Sequence, residues 1–163
     1  MNIQFITPTE ADLHDLQVVH NKAFLEDYLK YGVCPGYGRT IESLRESLER
    51  NTQFKIVADG ITVGKVSGHI EGEKAHIDCL CVIPEYQHRG IGQRAIDYIE
   101  KQFANAKSWI LETPKDKIRN VSFYQQCGYT IQGEMRDENA LLVILVKERV
   151  QMTRISKDSK GKE

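Results

Sequence analysis

Between Ile77 and Gln93 the chain reads IDCLCVIPEYQHRGIGQ. An apolar, strand-like run stops at Pro84, and a turn containing Gly90 and Gly92 opens a helix. The first N–H groups of a helix have no acceptor within it, and glycines without a Cβ let an anion approach the main chain closely. The helix dipole adds about 0.3–1 kcal/mol for a bound negative charge, up to about 2 in a sheltered site. The chemistry on offer is therefore the holding of a phosphate or diphosphate. Two common phosphate signatures do not fit, since the turn lacks the Gly-Lys-Ser/Thr ending of a P-loop and the three-glycine fingerprint of a dinucleotide fold. On the strand before the turn, alternation places His76, Asp78 and Leu80 on one face.

These residues need a scaffold, and the rest of the chain supplies its order. Met1 to Ile6 alternates as a strand, and Thr7, Pro8 and Glu10 offer an N-cap, a first-turn proline and a capping glutamate for the helix that follows. That helix carries Leu13, Leu16, Val19, Ala23 and Phe24 at helical spacing and is expected to fade near Asp27. Tyr28 to Arg39 reads as a glycine-broken loop rich in tyrosine, and Thr40 caps a second helix with the stripe Ile41, Leu44, Leu48. Three strands follow as a meander through Gln53–Ala58, Ile61–Ile70 and Lys74–Val82, turning at Asp59-Gly60 and at Glu71-Gly72-Glu73. After the glycine turn, Ile91, Ala95, Ile99 and Phe103 form one helix face. Trp109–Thr113 is a short strand, Asn120–Cys127 a short helix stopped by Gly128, and Tyr129–Gly133 another strand. Leu141–Val146 is apolar throughout and is expected inside the sheet with both faces covered. The fold class is α/β (α+β), a single mixed, mostly antiparallel sheet of about seven strands flanked by helices.

The chain has 163 residues, a net charge of -1, 40% hydrophobic and 28% charged residues. That composition fits one globular domain, residues 1–148, with a polar tail at 149–163. With 22 basic against 23 acidic residues, no global field draws the protein to nucleic acid or to an anionic membrane. No run approaches the roughly 20 apolar residues of a membrane span and no signal peptide is evident, so a cytoplasmic location is expected. Cys34, Cys79, Cys81 and Cys127 read as free thiols, and without C-x-x-C spacing no metal is expected.

The stretch Leu80-Cys81-Val82, the Pro84-Glu85-Tyr86 turn and Gln87-His88-Arg89-Gly90-Ile91-Gly92 resembles the Gln/Arg-x-x-Gly-x-Gly/Ala loop of the GNAT superfamily of acyl-coenzyme A-dependent N-acyltransferases. A second segment, Asn120-Val121-Ser122-Phe123-Tyr124-Gln125-Gln126-Cys127-Gly128-Tyr129, is similar to that family's Asn…Tyr…Gly-Phe/Tyr segment. The resemblance is strong from Ile77 to Tyr129 and rests on element order before that.

The resemblance implies the acyl-CoA N-acyltransferase fold, with acetyl-CoA as cosubstrate. It implies that main chain at Leu80, Cys81 and Val82 binds the pantetheine arm and that Gln87, His88, Arg89, Gly90, Ile91, Gly92 and Gln93 hold the pyrophosphate. Asn120 would steady the coenzyme from the other side, in a splayed gap between the strand ending at Val82 and that at Trp109–Thr113. Tyr124 takes the general-acid position, where a phenol of pKa near 10 can protonate a departing thiolate. The base is His76 or Asp78, directly or through water, with Glu112 and His69 as weaker candidates. A reference pKa near 6.5 suits His76 better than about 3.9 suits Asp78. The expected acceptor is a small-molecule primary amine, with a peptide or protein amine and a non-catalytic acyl-CoA sensor as alternatives. A homodimer is compatible with the sequence, although no residue marks its face.

Overall fold

The structure is a computed structural model that describes residues 1–150. A strand, β1 (Ile3–Ile6), leads through a 3-10 turn at Glu10–Asp12 into α1 (Leu13–Tyr31). Helix α2 (Ile41–Arg50) precedes the meander β2 (Thr52–Ala58), β3 (Ile61–Glu71) and β4 (Lys74–Val82). A 3-10 turn at Pro84–Tyr86 leads to α3 (Ile91–Gln102), and then come β5 (Ser108–Pro114), α4 (Ile118–Gln126), β6 (Thr130–Arg136) and β7 (Leu141–Glu148). One sheet holds all seven strands in the order β1-β2-β3-β4-β5-β7-β6. Every neighbouring pair is antiparallel except β4 and β5.

Local chemistry explains most boundaries. Asp59 and Gly60 both have positive φ, as a two-residue hairpin that follows the sheet twist requires. Thr40 caps α2 by accepting from the Ser43 N–H at 3.0 Å. Ile91, Ala95 and Ile99 on α3, with Phe103 at its C-cap, pack into the main core with Ile56, Val66, Ile77, Trp109 and Leu111. A satellite cluster of Leu13, Leu16 and Leu44 joins α1 to α2.

Three expectations about element boundaries and burial need correction. The first cap lies two residues later, where the Thr9 N–H donates to Asp12 Oδ2 at 2.8 Å, because a short 3-10 turn is inserted before α1. Helix α1 continues past Asp27 to Tyr31, since the residue that stops it is Gly32, left-handed at φ +78°. Strand β7 lies inside the sheet between β5 and β6, but only Val143 and Leu145 are fully buried and its other face is partly open.

Two features position the site. Residues 74–76 of β4 pair with 108–110 of β5, and beyond His76 the two strands diverge into a fork. In addition, β3 and β4 slip register so that Gly68 faces Ile77 while Ser67 faces Cys79, leaving Asp78 as an extra residue. Alternation flips at that bulge, so Cys79 and Cys81 share the face of His76 and Asp78 while Leu80 points to the other side. The expectation that Leu80 shares that face is thereby corrected.

Candidate active site

The open side of the fork is a cavity of about 750 Å³. Its walls are Ala23, Phe24 and Asp27 of α1, Leu80, Cys81 and Val82 of β4, the turn into α3, and Lys117 through Gln126 along α4. Divergence of β4 from β5 leaves the β5-side edge of Ile77 through Val82 without a partner strand while β3 holds the other edge, and Leu80, Cys81 and Val82 line the cavity.

Backbone geometry at the glycine turn exposes amides. His88 at φ +62° and Gly90 at φ +80° are both left-handed, and Gly90 is an N-cap without any side-chain cap. The N–H groups of Ile91, Gly92 and Gln93 therefore start α3 without intrahelical acceptors. Gln87, whose Nε2 donates to the Val82 carbonyl at 2.9 Å, straps this turn to the end of β4. Gln87, His88, Gly90, Ile91, Gly92 and Gln93 all line the cavity, as does Asn120 on the far wall. Arg89 does not, and its guanidinium lies 5.0 Å from the Tyr86 ring centroid. Gly92 serves packing as well, because a Cβ there would come 3.0 Å from Phe123 Cζ.

Tyr124 also lines this cavity, and its hydroxyl makes no hydrogen bond among the described residues. Burial, with the neighbouring thiols Cys79, Cys127 and Cys81, raises its pKa above the ordinary phenol value, so it keeps its proton at any physiological pH. Sequence reasoning did not single out Arg119, which lines the same cavity, is exposed and has no ion-pair partner among the described residues. Its position in the motif-bearing helix was the available signal. Lys117 lines the cavity too, tied to Asp27 at 2.9 Å, and Tyr28 stacks on Tyr37 at 4.3 Å behind that pair.

His76 and Asp78 lie beside this cavity, outside its lining. His76 is the last β4 residue paired with β5 and so stands at the crotch of the fork. Its Nδ1 donates to Asp78 Oδ1 at 2.6 Å and its Nε2 to Glu112 Oε2 at 2.7 Å. His69 donates in the same way to Asp78 at 2.7 Å and to Glu71 at 2.8 Å. The Asp78 hydrogen bond, joined by Glu112 and opposed by burial, raises His76 to a pKa of about 9. Asp78 is pushed up by burial, but the hydrogen bonds from His76 and His69 outweigh it and hold the carboxyl below its ordinary range. At neutral pH His76 is thus a cation with both nitrogens engaged, and its reference pKa is no guide to its role.

The profile of the acetyltransferase (GNAT) family matches residues 19–129, a span that includes both the amide turn and Tyr124. The chain is 24% identical over 149 residues to the uncharacterized Bacillus subtilis protein YyaT, covering 91% of this chain and 96% of that one. The structure superposes on the PaiA N-acetyltransferase of Thermoplasma acidophilum in complex with coenzyme A at a TM-score of 0.79, with 21% identity, 91% of this chain and 100% of that chain covered. It is also similar to the ribosomal-protein-S18-alanine N-acetyltransferase of Escherichia coli, at a TM-score of 0.74 and 13% identity over 90% and 94% of the two chains. With the fork, the bare amides and the family profile falling on the same stretch of sequence, the chain belongs to the acetyltransferase (GNAT) family.

Proposed function

We propose that this protein moves an acetyl group from acetyl-CoA to the primary amine of a small molecule, by direct attack of the amine on the thioester. The observation that carries this reading is the unpaired Tyr124 hydroxyl in the same cavity as the uncapped amides of α3. The amides of Ile91, Gly92 and Gln93 suit the pyrophosphate, with Asn120 and Arg119 on the opposite wall. The free β5-side edge of Leu80, Cys81 and Val82 suits the pantetheine amides, as an added half-strand. The amine nitrogen forms a bond to the thioester carbonyl carbon, the C–S bond breaks, and Tyr124 gives its proton to the departing thiolate.

The amine must also lose a proton. A lysine-like amine is only about one part in 2,500 neutral at pH 7, which withholds about 4.6 kcal/mol of reactivity. The network of Asp78, His76 and Glu112 stands at the fork, is extended by His69 and Glu71, and holds three carboxylates against two histidines. Its carboxylates favour approach of a cationic amine and acceptance of that proton through water. Direct abstraction by His76 would first require the imidazolium to lose one of its two ring protons, both of which its carboxylate partners hold.

The test is thiol release from acetyl-CoA against a panel of small primary amines and short peptides, alongside calorimetric titration with coenzyme A. Saturable release with small amines supports the proposal. Coenzyme binding without thiol release from any amine would overturn it in favour of a sensor.

A further inference from the structure

A second set of reactive side chains lies beneath α1. One ring nitrogen of His20 and the Sγ atoms of Cys79 and Cys81 all lie within 4.8 Å of one another. His20 is 2% exposed and Cys81 6%, while Cys79 is partly buried. The bulge at Asp78 creates it, since the flip of alternation turns both cysteines of the C-x-C run toward the helix. His20 Nδ1 lies 3.0 Å from the Gly36 carbonyl, an acceptor only, so Nδ1 carries the hydrogen and the lone pair of the neutral ring is on Nε2. That Nε2 is buried and has no hydrogen-bond partner. A backbone carbonyl fixing one imidazole nitrogen so that the other is free is the usual support of a metal-bound histidine.

We propose that His20 Nε2, Cys79 Sγ and Cys81 Sγ form a binding site for one thiophilic d¹⁰ cation of the zinc class. The donor set is the N/S combination zinc prefers, at about 2.0–2.1 Å for nitrogen and about 2.3 Å for sulfur, and rotation of the cysteine side chains contracts the present spacing toward it. Two protons leave the thiols on binding, and the two thiolates balance the charge of a divalent ion, so no net charge is added beside the buried Lys65, which faces Cys81 across the strands. Three protein ligands leave a fourth position for water. The spacing rule used on the sequence could not find this site, because its donors come from a helix and a strand almost sixty residues apart. The ion would fasten α1 to the strand that borders the coenzyme cavity.

The inference is independent of the acetyl-transfer reading, and its test needs no turnover. The metal-free protein is titrated with Zn²⁺ against a chromophoric chelator and, separately, with Co²⁺, whose thiolate charge-transfer absorption reports sulfur ligation. One equivalent is expected to bind with that signature, weakened at least tenfold in Cys79→Ser, Cys81→Ser and His20→Gln but unchanged in Cys34→Ser. Circular dichroism of the metal-free variants checks folding. Should a variant fail to fold, mass-resolved alkylation of the wild type decides, with Zn²⁺ expected to slow Cys79 and Cys81 at least tenfold and to leave Cys34 unaffected. Absence of saturable binding overturns the proposal. So does binding that persists in both folded cysteine variants, which would place the ion at the His69, His76 and Asp78 cluster, or alkylation rates that Zn²⁺ leaves unchanged.

Discussion

The Nε2 of His76, on the last rung that β4 shares with β5, donates at 2.7 Å to Glu112, two residues beyond its rung partner Ile110. Because Asp78 holds the other nitrogen, the folded state raises His76 from its ordinary value of 6.5 to about 9. A raised histidine contributes stability that is complete below the unfolded pKa and fades as pH climbs through the folded one. The unfolding free energy from urea melts should therefore fall between pH 6.5 and 9, by at most about 3 kcal/mol and by less after solvent screening. His76→Gln should flatten that slope. An equal slope in the variant would show that His76 is not its source.

Tyr124→Phe removes the proton donor and keeps the ring. Loss of a general acid typically costs about 10²–10⁴ in rate, so kcat should drop by at least about 100-fold. Coenzyme A affinity by calorimetry should change less than about threefold, well under 1 kcal/mol. Full turnover in the variant would remove the acid role from this phenol.

The two glycines of the turn should respond differently to alanine. At Gly90 a Cβ meets nothing within 4 Å, but φ is +80°, so Gly90→Ala should lower stability by about 1–2 kcal/mol. At Gly92 the cost falls on Phe123, 3.0 Å from the added atom. Gly92→Ala should keep the melting temperature within a few degrees, because alanine favours the helix, while weakening coenzyme A binding by displacing the aromatic wall.

Asp12 serves twice, accepting from the Thr9 N–H at 2.8 Å and pairing with the half-buried Lys55 at 2.7 Å. Asp12→Ala leaves Lys55 without its counter-charge and should cost about 2 kcal/mol in denaturant melts. Asp12→Asn should also destabilise, since the two bonds fall on different carboxylate oxygens and the single amide oxygen can accept only one of them.

Element order and the amide turn were legible in the sequence, because hairpin turns, caps and apolar stripes are local signals. Thr40, Gly60 and Gly128 each do in the fold what their neighbours implied. What failed was non-local. Alternation cannot reveal an inserted residue, so the bulge at Asp78 moved Leu80 off the expected face and brought both cysteines under His20. The charge on His76 depends on Glu112, thirty-six positions away and on another strand. Arg89, inside the matching motif, stacks on Tyr86 because nothing in a consensus states where a side chain turns.

Since the β4 and β5 pairing covers only residues 74–76 and 108–110, the sheet amounts to two stiff plates riveted at one corner. A guest lodged in the cavity would touch β4 on one side and α4, which follows β5, on another, as a keystone does. Occupancy should therefore brace the open wedge beside a core that already joins both plates. Amide exchange along Leu80–Val82 would then slow together with exchange along Ser122–Tyr124, about forty residues further along the chain.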